Sequence, residues 1–256
     1  RERKFDLLLQ MQGDGRIVNP LLMLTQPKVF AGYYKIGEFR PNDDFFCPYP
    51  LSLPEARRHL KLMRFLGIQE TEEEMEFPLK SSDYAEYLNL KREFGLQDQT
   101  YICLHPGARA KQRRWSPTSF ASVADFIADL GFTPVITGTE EEREVTEMVV
   151  KAMKRNAVDL TGKTTLGGLA VLLSFTKLTI CNDTGVSHLA VALKSPSIVI
   201  SLNSDRERWS PIDRSLHPTV NGRNSSSINR VKTLVVELLH RSPKQITFPP
   251  TSLQRA

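Results

Sequence analysis

The sequence predicts an α/β fold whose C-terminal part is a doubly wound parallel sheet. From Tyr101 onward, short β-rich runs alternate regularly with helical runs. Five predicted strands joined by four helical crossovers are typical of a parallel sheet with helices on both faces. The 256 residues, of which 40% are hydrophobic and 25% charged, suit a soluble globular protein of one large or two small domains.

The elements before Tyr101 are less regular and indicate part of a second α/β unit. The runs FDLLLQM and KVFAGYY predict strands, and NPLLMLT and LPEARRHLKLMRFLG have the apolar spacing of helices. Between the second strand and the second helix, NDDFFCPYPLSLP predicts a proline-stiffened surface loop. Asp43 and Asp44 in that loop are expected to be turn residues rather than metal ligands. SSDYAEYLNLKREFGLQDQ then predicts a capped helix and a polar linker.

The alternating part begins with the strand YICLH and ends with the strand SPSIVIS. The strands between them are FTPVIT, AVDL and KLTICN, and the helices are SPTSFASVADFIADLG, EEEREVTEMVVKAMKR, TLGGLAVLLSFT and GVSHLAVAL. Further on, RNSSSINRVKTLVVELLHRS predicts a loop and an amphipathic helix. We therefore expect an N-terminal domain with its linker over 1–97, a C-terminal domain over 98–225, and a helix and tail over 226–256.

Composition restricts the classes of partner and compartment. The 34 basic and 29 acidic residues give a net charge of +5, a mild excess that favours anionic partners such as nucleotides or phosphorylated glycans. Cys47, Cys103 and Cys181 are odd in number and lack metal-ligand spacing, so they predict reduced thiols in a cytosolic protein. The sequence has no signal-peptide pattern and no apolar run of about 18 residues, so any membrane contact is expected to be peripheral.

The stretch CNDTGVSHLAVAL joins a strand to a helix through Asn-Asp-Thr-Gly. In a doubly wound sheet, ligands bind beyond the carboxyl ends of the strands, where this stretch lies. Asp183 and Thr184 are good helix caps, Gly185 allows a close turn, and the free N–H groups of a helix start attract anions. His188 follows one turn later and is able to donate to a phosphate oxygen. Taken alone, the stretch fits a capped helix with a half-buried histidine equally well.

A basic loop, HPGARAKQRRWSP, follows the first strand of the alternating part. Its cations are Arg109, Lys111, Arg113 and Arg114. A diphosphate would explain this density, because each charge-assisted contact contributes roughly 1.5 to 3 kcal/mol. The alternatives are a solvated loop or a nucleic-acid patch, and the latter requires interleaved aromatic residues, of which only Trp115 is near. We predict phosphate binding here, with Gly107 and Arg109 among the ligand-binding residues, and no nucleic-acid partner.

The stretch TGTEEER follows the second strand of the alternating part. Thr139 and Glu142 fit a capping box, which leaves Glu140 available. In dinucleotide folds an acidic residue beyond the second strand binds ribose hydroxyls, so Glu140 is the ribose candidate.

Two other stretches suggest sites less strongly. LTGKTTLGG lacks the first glycine of a P-loop, because Ala157 occupies that position, and we expect Thr164 or Thr165 to cap the next helix instead. Asp14 in MQGDGR follows a strand, so it either faces a ligand or forms a turn between glycines.

In their order and spacing, HPGA…RRW, TGTEEE, DLTGKTTLGGLA, CNDTGVSHLAVAL and DRERWSPID resemble the C-terminal half of the family-nine glycosyltransferases, the heptosyltransferase group. The NDTG-x-x-H element is the most specific of these. FDLLLQMQGDGRIVNPLLMLTQPKVFAGYY and LPEARRHLKLMRFLGI are similar to later parts of the family's N-terminal domain, so only the family's opening strand and Gly-Asp loop are lacking. The resemblance implies a GT-B architecture of two Rossmann-like domains facing across a cleft, with the N-terminal one incomplete.

The resemblance also implies roles for individual residues. The diphosphate is held by residues at the start of the helix: Thr184, Gly185 and His188. Arg113, which stands where the family usually has lysine, assists the leaving group, and Glu140 meets the ribose. Asp183 is repelled by phosphates, so it is expected to cap the helix or to accept a hydrogen bond from a sugar hydroxyl. Arg113, His188 and Asp183 are thus the predicted catalytic residues.

The implied function is an inverting, metal-independent transfer of a sugar, expected to be heptose, from an ADP-sugar to a lipopolysaccharide-type acceptor. It needs no cofactor besides the donor substrate, and its catalytic base is expected in the lacking opening loop. Two alternatives remain: a non-catalytic sugar-nucleotide-binding protein of the same fold, and an epimerase, for which the sequence does not place the required acid and base. The expected location is the cytoplasm, with peripheral contact at the inner face of the cytoplasmic membrane.

Overall fold

The computed structural model describes residues 4–69, 72–203 and 205–240, which form two compact units. The first unit contains the described residues up to Glu74 together with Glu207–Trp209. The second contains Met75–Arg206 and the described residues from Ser210 onward. The chain thus divides near residue 75, whereas the sequence interpretation puts the domain boundary after residue 97.

The first unit contains a parallel sheet in the order β1 (Leu7–Gln10), β2 (Val29–Tyr34) and β3 (Phe46–Pro48). Helix α1 (Val18–Met23) follows β1, and helix α2 (Glu55–Phe65) follows β3. The two strands and two helices predicted for this region are therefore confirmed. Tyr33, Cys47 and Leu62 form the buried centre of the unit.

Strand β3 corrects the prediction that NDDFFCPYPLSLP is a loop throughout. Phe46 and Cys47 are buried, and the strand continues the ladder of β2: the Gly32 N–H donates to the Phe45 carbonyl at 3.0 Å and the Tyr49 N–H to the Tyr34 carbonyl at 2.8 Å. The prolines misled the prediction. Proline is tolerated at the edge of a sheet, where its missing N–H breaks no ladder bond.

The second unit contains a sheet of parallel strands in the order β6-β5-β4-β7-β8-β9. Their bounds are β4 (Tyr101–His105), β5 (Thr133–Ile136), β6 (Val158–Asp159), β7 (Leu178–Asn182), β8 (Ser197–Ser201) and β9 (Thr219–Asn221). Counted along the chain within this unit, the order is 3-2-1-4-5-6, that of a Rossmann fold. The five predicted strands are confirmed, and β9 is an addition that the sequence analysis missed.

Helices cover both faces of this sheet, as predicted. They are α3 (Ser81–Phe94), α4 (Pro117–Asp129), α5 (Arg143–Ala152), α6 (Leu166–Phe175), α7 (Gly185–Ala192) and α9 (Ser227–Leu239). The short α8 (Arg206–Trp209) precedes β9 in the chain and is not one of them, because Glu207–Trp209 belong to the first unit. Alternate residues of β4 point to opposite faces: Ile102 and Leu104 pack with α4 and α9, while Tyr101 and Cys103 pack with α3 and α6. None of the helices in the described ranges is long and apolar enough to cross a bilayer.

Candidate functional site

The candidate site lies where the strand order of the second unit reverses, between β4 and β7. These two strands are hydrogen-bonded neighbours, with His105 opposite Cys181, yet they are separated in the chain by β5 and β6. In open α/β sheets the crevice outside the carboxyl ends of the strands at such a point is the usual ligand site. The basic loop leaves β4 here, and Asn182–Gly185 leave β7, so the fold brings together two stretches that the sequence analysis had selected.

The start of α7 carries no side-chain cap from any residue that the structure describes. Thr184 is the N-cap residue and has an extended backbone, but its hydroxyl donates to the Asn182 carbonyl at 3.4 Å instead of accepting from the helix. Thr184 therefore stands at the N-cap position, but the prediction that its side chain caps the helix is wrong. Asp183 precedes the N-cap residue, so its predicted capping role is wrong as well, whereas its alternative role as acceptor from a sugar hydroxyl stays a prediction. Helix N–H groups left without a side-chain partner, together with the helix dipole, favour a bound anion.

Gly185, the first residue of α7, is exposed and does not have a positive φ. The turn therefore does not depend on the freedom of glycine, contrary to the sequence interpretation. A Cβ added to Gly185 would meet no atom of the described residues within 4 Å. The glycine thus leaves open space beside the first amides of the helix.

His188 is half-buried one turn into α7. Burial lowers the pKa of its imidazole below the ordinary 6.5, and the nearby Asp183 carboxylate acts in the opposite direction. The ring is consequently neutral at neutral pH, and an anion bound beside it would raise its pKa.

The basic loop, residues 106–115, contains a short 3₁₀ helix at Lys111–Arg113. Arg109 and Lys111 are exposed and Arg113 is half-buried, and none of these three side chains has an ion-pair or hydrogen-bond partner among the described residues. Arg114 differs, because its Nε donates to the Ala108 carbonyl at 2.8 Å. Three cations of the loop are therefore available to a ligand, while Arg114 supports the loop itself.

Asn182, to which the sequence analysis assigned no role, joins the basic loop to the start of α7. Its fully buried amide donates to the carbonyls of Pro106 at 2.8 Å and Gly107 at 3.2 Å, and its Oδ1 accepts from the Trp115 N–H at 2.9 Å. A signal was present in the sequence, because an asparagine at the end of a buried strand must find hydrogen-bond partners.

The structure explains why position 107 is glycine, and the sequence analysis did not predict this explanation. A Cβ at this position would lie 2.2 Å from the carboxylate carbon of Glu142. Glu142 is buried, and its Oε2 accepts from the Thr139 N–H at 2.9 Å, which confirms the predicted capping box. The same oxygen lies 3.6 Å from His105 Nε2. Burial lowers the pKa of His105, while Glu142 opposes the change. Gly107 thus makes room for a carboxylate of the protein.

Glu140 lies just beyond β5 and is exposed. Arg143 binds both of its carboxylate oxygens, at 2.5 and 2.6 Å, and also donates to the Thr161 carbonyl at 3.2 Å. The hydrogen bonds from Arg143 lower the pKa of Glu140. The ribose candidate is therefore a charged carboxylate already oriented by an arginine.

The two weaker candidates have structural explanations. Thr165 caps α6 by accepting from the Gly168 N–H at 3.1 Å, as predicted, and Glu86 accepts from the Thr165 N–H at 2.8 Å. Asp14 accepts from the Arg16 N–H at 3.2 Å in a turn between two glycines with positive φ, which is the turn alternative. Across the described ranges, no three His, Cys, Asp or Glu side chains are grouped as metal ligands.

The sequence model of glycosyltransferase family 9 (heptosyltransferase) matches residues 1–240. The chain is 24% identical over 136 residues to lipooligosaccharide heptosyltransferase 2 of Haemophilus ducreyi, and 26% identical over 164 residues to lipopolysaccharide heptosyltransferase 3 of Escherichia coli K12. These alignments cover 49% and 61% of this chain, but 39% and 46% of the relatives. The chain therefore spans less than half the length of these curated relatives.

Solved structures show the same fold. The family 9 glycosyltransferase of Veillonella parvula superposes with a TM-score of 0.73 at 21% identity, covering 91% of this chain and 67% of that one. An Escherichia coli structure described as ADP-heptose lps heptosyltransferase II superposes with a TM-score of 0.66 at 19% identity, covering 91% and 75%. The predicted GT-B-like α/β fold class is confirmed.

Proposed function

The chain belongs to glycosyltransferase family 9, and from this premise we propose that it transfers a sugar, heptose, from an ADP-sugar to a lipopolysaccharide-type acceptor. The curated relatives are named as heptosyltransferases of lipooligosaccharide or lipopolysaccharide, which supports this class of reaction and acceptor. The description of one solved structure names ADP-heptose, which supports the donor. The proposed transfer inverts the anomeric centre and uses no metal. Peripheral contact with the inner membrane stays a prediction.

The uncapped start of α7 at the switch point carries the proposal. This helix start is joined through Asn182 to a loop with three cations that have no partner among the described residues. The amides of this helix start and the guanidinium groups of the loop both contribute charge-assisted hydrogen bonds to phosphate oxygens. Together they form a binding site for a diphosphate, here called the diphosphate seat. We assign the donor diphosphate to this seat.

In the proposed reaction, an acceptor hydroxyl attacks the anomeric carbon in line with the departing nucleoside diphosphate. The new bond joins the acceptor oxygen to the anomeric carbon, the acceptor hydroxyl gives its proton to a general base, and the electron pair of the broken C–O bond stays on the diphosphate. Arg113 and the first amides of α7 neutralise this charge, and His188 donates to a phosphate oxygen. Losing one preorganised donor of this kind costs about 2.7 to 4 kcal/mol in the barrier. Asp183 accepts from a sugar hydroxyl and Glu140 from the ribose.

The proposal is tested by binding and then by transfer. Calorimetric titration with ADP, UDP and GDP should show a preference for ADP, and the sugar should then be transferred from ADP-heptose to a lipopolysaccharide-core acceptor. We expect His188→Ala and Arg113→Ala each to reduce transfer at least about tenfold, since each removes one donor to the developing charge. Arg155→Ala is the control, because Arg155 forms an exposed ion pair with Asp129. Wild-type turnover in both site variants would refute the assigned roles, and tight ADP binding without turnover would favour a non-catalytic sugar-nucleotide-binding protein.

A further inference from the structure

We infer that Asn182 is a positioning residue: it closes the basic loop against the start of α7 and so fixes Arg113 relative to the amides that hold the donor diphosphate. The inference rests on the proposed function and adds to it a residue that does not itself touch the donor.

The hydrogen bonds of Asn182 reach both ends of the basic loop. Its Nδ2 donates to Pro106 and Gly107, where the loop leaves β4, and its Oδ1 accepts from the Trp115 N–H, where the loop ends. Among residues of this size, asparagine alone offers a two-proton donor and an acceptor on one short planar group. Aspartate at this position would direct a carboxylate oxygen at two carbonyl oxygens.

Bonds inside the loop shape it but do not attach it to β7. The Arg113 N–H donates to the Ala110 carbonyl at 2.9 Å, and the Arg114 N–H to the Lys111 carbonyl at 3.0 Å. Asn203 makes one further attachment, from its Nδ2 to the Gln112 carbonyl at 3.0 Å, but that bond is exposed. Because Asn182 is 0% exposed, its three bonds do not compete with water and hold the loop more firmly.

Asn182 is also the last residue of β7, directly before the start of α7. Its carbonyl accepts from the Thr184 hydroxyl at 3.4 Å. One residue thus fixes both halves of the proposed diphosphate seat. A loop backbone that is already held in place loses less entropy when the ligand binds, and it presents Arg113 to the leaving group with less rearrangement.

The first test compares two buried asparagines. Asn19 is the matched control, because it is also 0% exposed and its Nδ2 donates to a backbone carbonyl, that of Tyr33, at 2.9 Å, but it lies in the first unit. We expect Asn182→Asp and Asn182→Ala to weaken ADP binding at least about tenfold in calorimetric titration, and Asn19→Asp to leave it within about twofold. Equal losses in the two asparagine positions would overturn the inference, because they would indicate general destabilisation.

The second test asks whether Asn182 acts through Arg113. Arg113→Ala is introduced into the wild-type chain and into Asn182→Ala, and ADP affinity is measured for all four proteins. If Asn182 positions Arg113, the arginine substitution should have a much smaller effect in the Asn182→Ala background, because coupled residues are not additive. Equal effects in the two backgrounds would overturn the inference.

The third test needs neither a variant nor a ligand. In the wild-type chain, the Trp115 amide should exchange with deuterium at least about a hundredfold more slowly than the amide of the exposed loop residue Gln112, because its acceptor is a buried side chain. A Trp115 amide that exchanges as fast as that of Gln112 refutes the role of Asn182, however ADP behaves and even if the variants fail to fold. Absence of ADP binding by the wild-type chain would instead refute the proposed function.

Discussion

Helices α6 and α7 begin with similar residues, but a side chain caps the N-terminus of α6 and none of the described side chains caps that of α7. Both are apolar helices that pack against the sheet of the second unit, and both have a threonine at the N-cap. At α6, Thr165 caps the helix, Glu86 of α3 accepts from both its N–H and its hydroxyl, and a Cβ on Gly168 would lie 1.9 Å from a Glu86 oxygen. At α7, Thr184 caps nothing in the described part of the chain, and a Cβ on Gly185 would point into open space there.

The difference shows which helix start is available to an anion. The positive end of α6 is already occupied by the Thr165 hydroxyl and the Glu86 carboxylate, so a phosphate there would be repelled. At the positive end of α7, no side chain of the described residues caps the helix, although the Asp183 carboxylate lies near His188. This end lies at the switch point of the sheet, where Asn182 ties the basic loop to it. Glycine in the first turn of a helix after an N-cap threonine therefore does not identify a phosphate site by itself. What matters is whether another element fills the space that the glycine leaves.

The largest effect is expected when α7 is made to resemble α6. Gly185→Asp places a carboxylate at the first position of α7, where it competes with a phosphate for the amides. We expect ADP affinity to fall about a hundredfold or more in calorimetric titration, since a charge-assisted contact is replaced by repulsion. The free energy of unfolding should not decrease, because an acidic residue stabilises a helix start.

Gly185→Ala is the control for this substitution. Its Cβ meets no described atom within 4 Å, and alanine is favoured over glycine in helices by about 1 kcal/mol, so urea unfolding should show equal or higher stability. If Gly185→Asp folds and binds ADP as tightly as the wild type, the diphosphate does not bind at α7.

The second effect is a pH dependence at α7. Burial lowers the pKa of His188, so the unliganded protein keeps this ring neutral above its ordinary pKa of 6.5 and loses the associated stability as the pH falls through the lowered value. A bound diphosphate favours the charged ring. The ADP affinity of the wild type, relative to His188→Gln, should therefore rise about three- to tenfold between about pH 7.5 and pH 5.5. Comparison with His188→Gln cancels the contribution from the titration of ADP itself. If the ratio of the two ADP affinities stayed constant with pH, His188 would not contact the phosphates.

Local chemistry in the sequence predicted most of the strands and selected the stretches that form the candidate site. Strong β-forming runs located β4, β5, β7 and β8, which have four or five residues each, and the alternation of strands with helices located β6, which has two. β3 and β9 have three residues each and lie outside that alternation, so the sequence analysis missed them. The motif at Asp183–Gly185 was found because a strand, a glycine and a helix are adjacent in the chain.

What the sequence could not supply are partners that are distant in the chain. The hydrogen-bond partners of the Asn182 side chain lie 67 to 76 residues away, and Glu86 lies 79 residues from Thr165. Cap propensity likewise did not distinguish the two threonines. The Thr165 hydroxyl accepts from an amide of its helix, whereas the Thr184 hydroxyl donates to the Asn182 carbonyl. Such choices depend on what packs against the helix start, and this is known only once the fold is formed.

A third effect separates the two N-cap threonines. Thr165→Ala removes a side-chain cap, so we expect it to lower the free energy of unfolding by about 1 kcal/mol and to leave ADP affinity unchanged. Thr184→Ala removes no cap, so stability should stay within about 0.5 kcal/mol while ADP affinity falls about three- to tenfold through loss of a hydroxyl at the diphosphate seat. Urea unfolding and calorimetry on both variants check this. Serine at either position retains the hydroxyl and is the control, and a loss of ADP affinity confined to Thr165→Ala would contradict the comparison.

The smallest effect concerns the carboxylate that occupies the start of α6. Glu86→Gln keeps an acceptor for the Thr165 N–H but removes the negative charge from the helix start, so we expect a loss of about 0.3 to 1 kcal/mol in the free energy of unfolding. Since salt screens this exposed interaction, the loss should shrink between low salt and about 1 M salt. Glu147→Gln is the control, because Glu147 pairs with Lys151 at 3.5 Å in the interior of a helix. If Glu86→Gln weakened ADP binding while stability stayed unchanged, the start of α6 would belong to the nucleotide site and the contrast with α7 would be wrong.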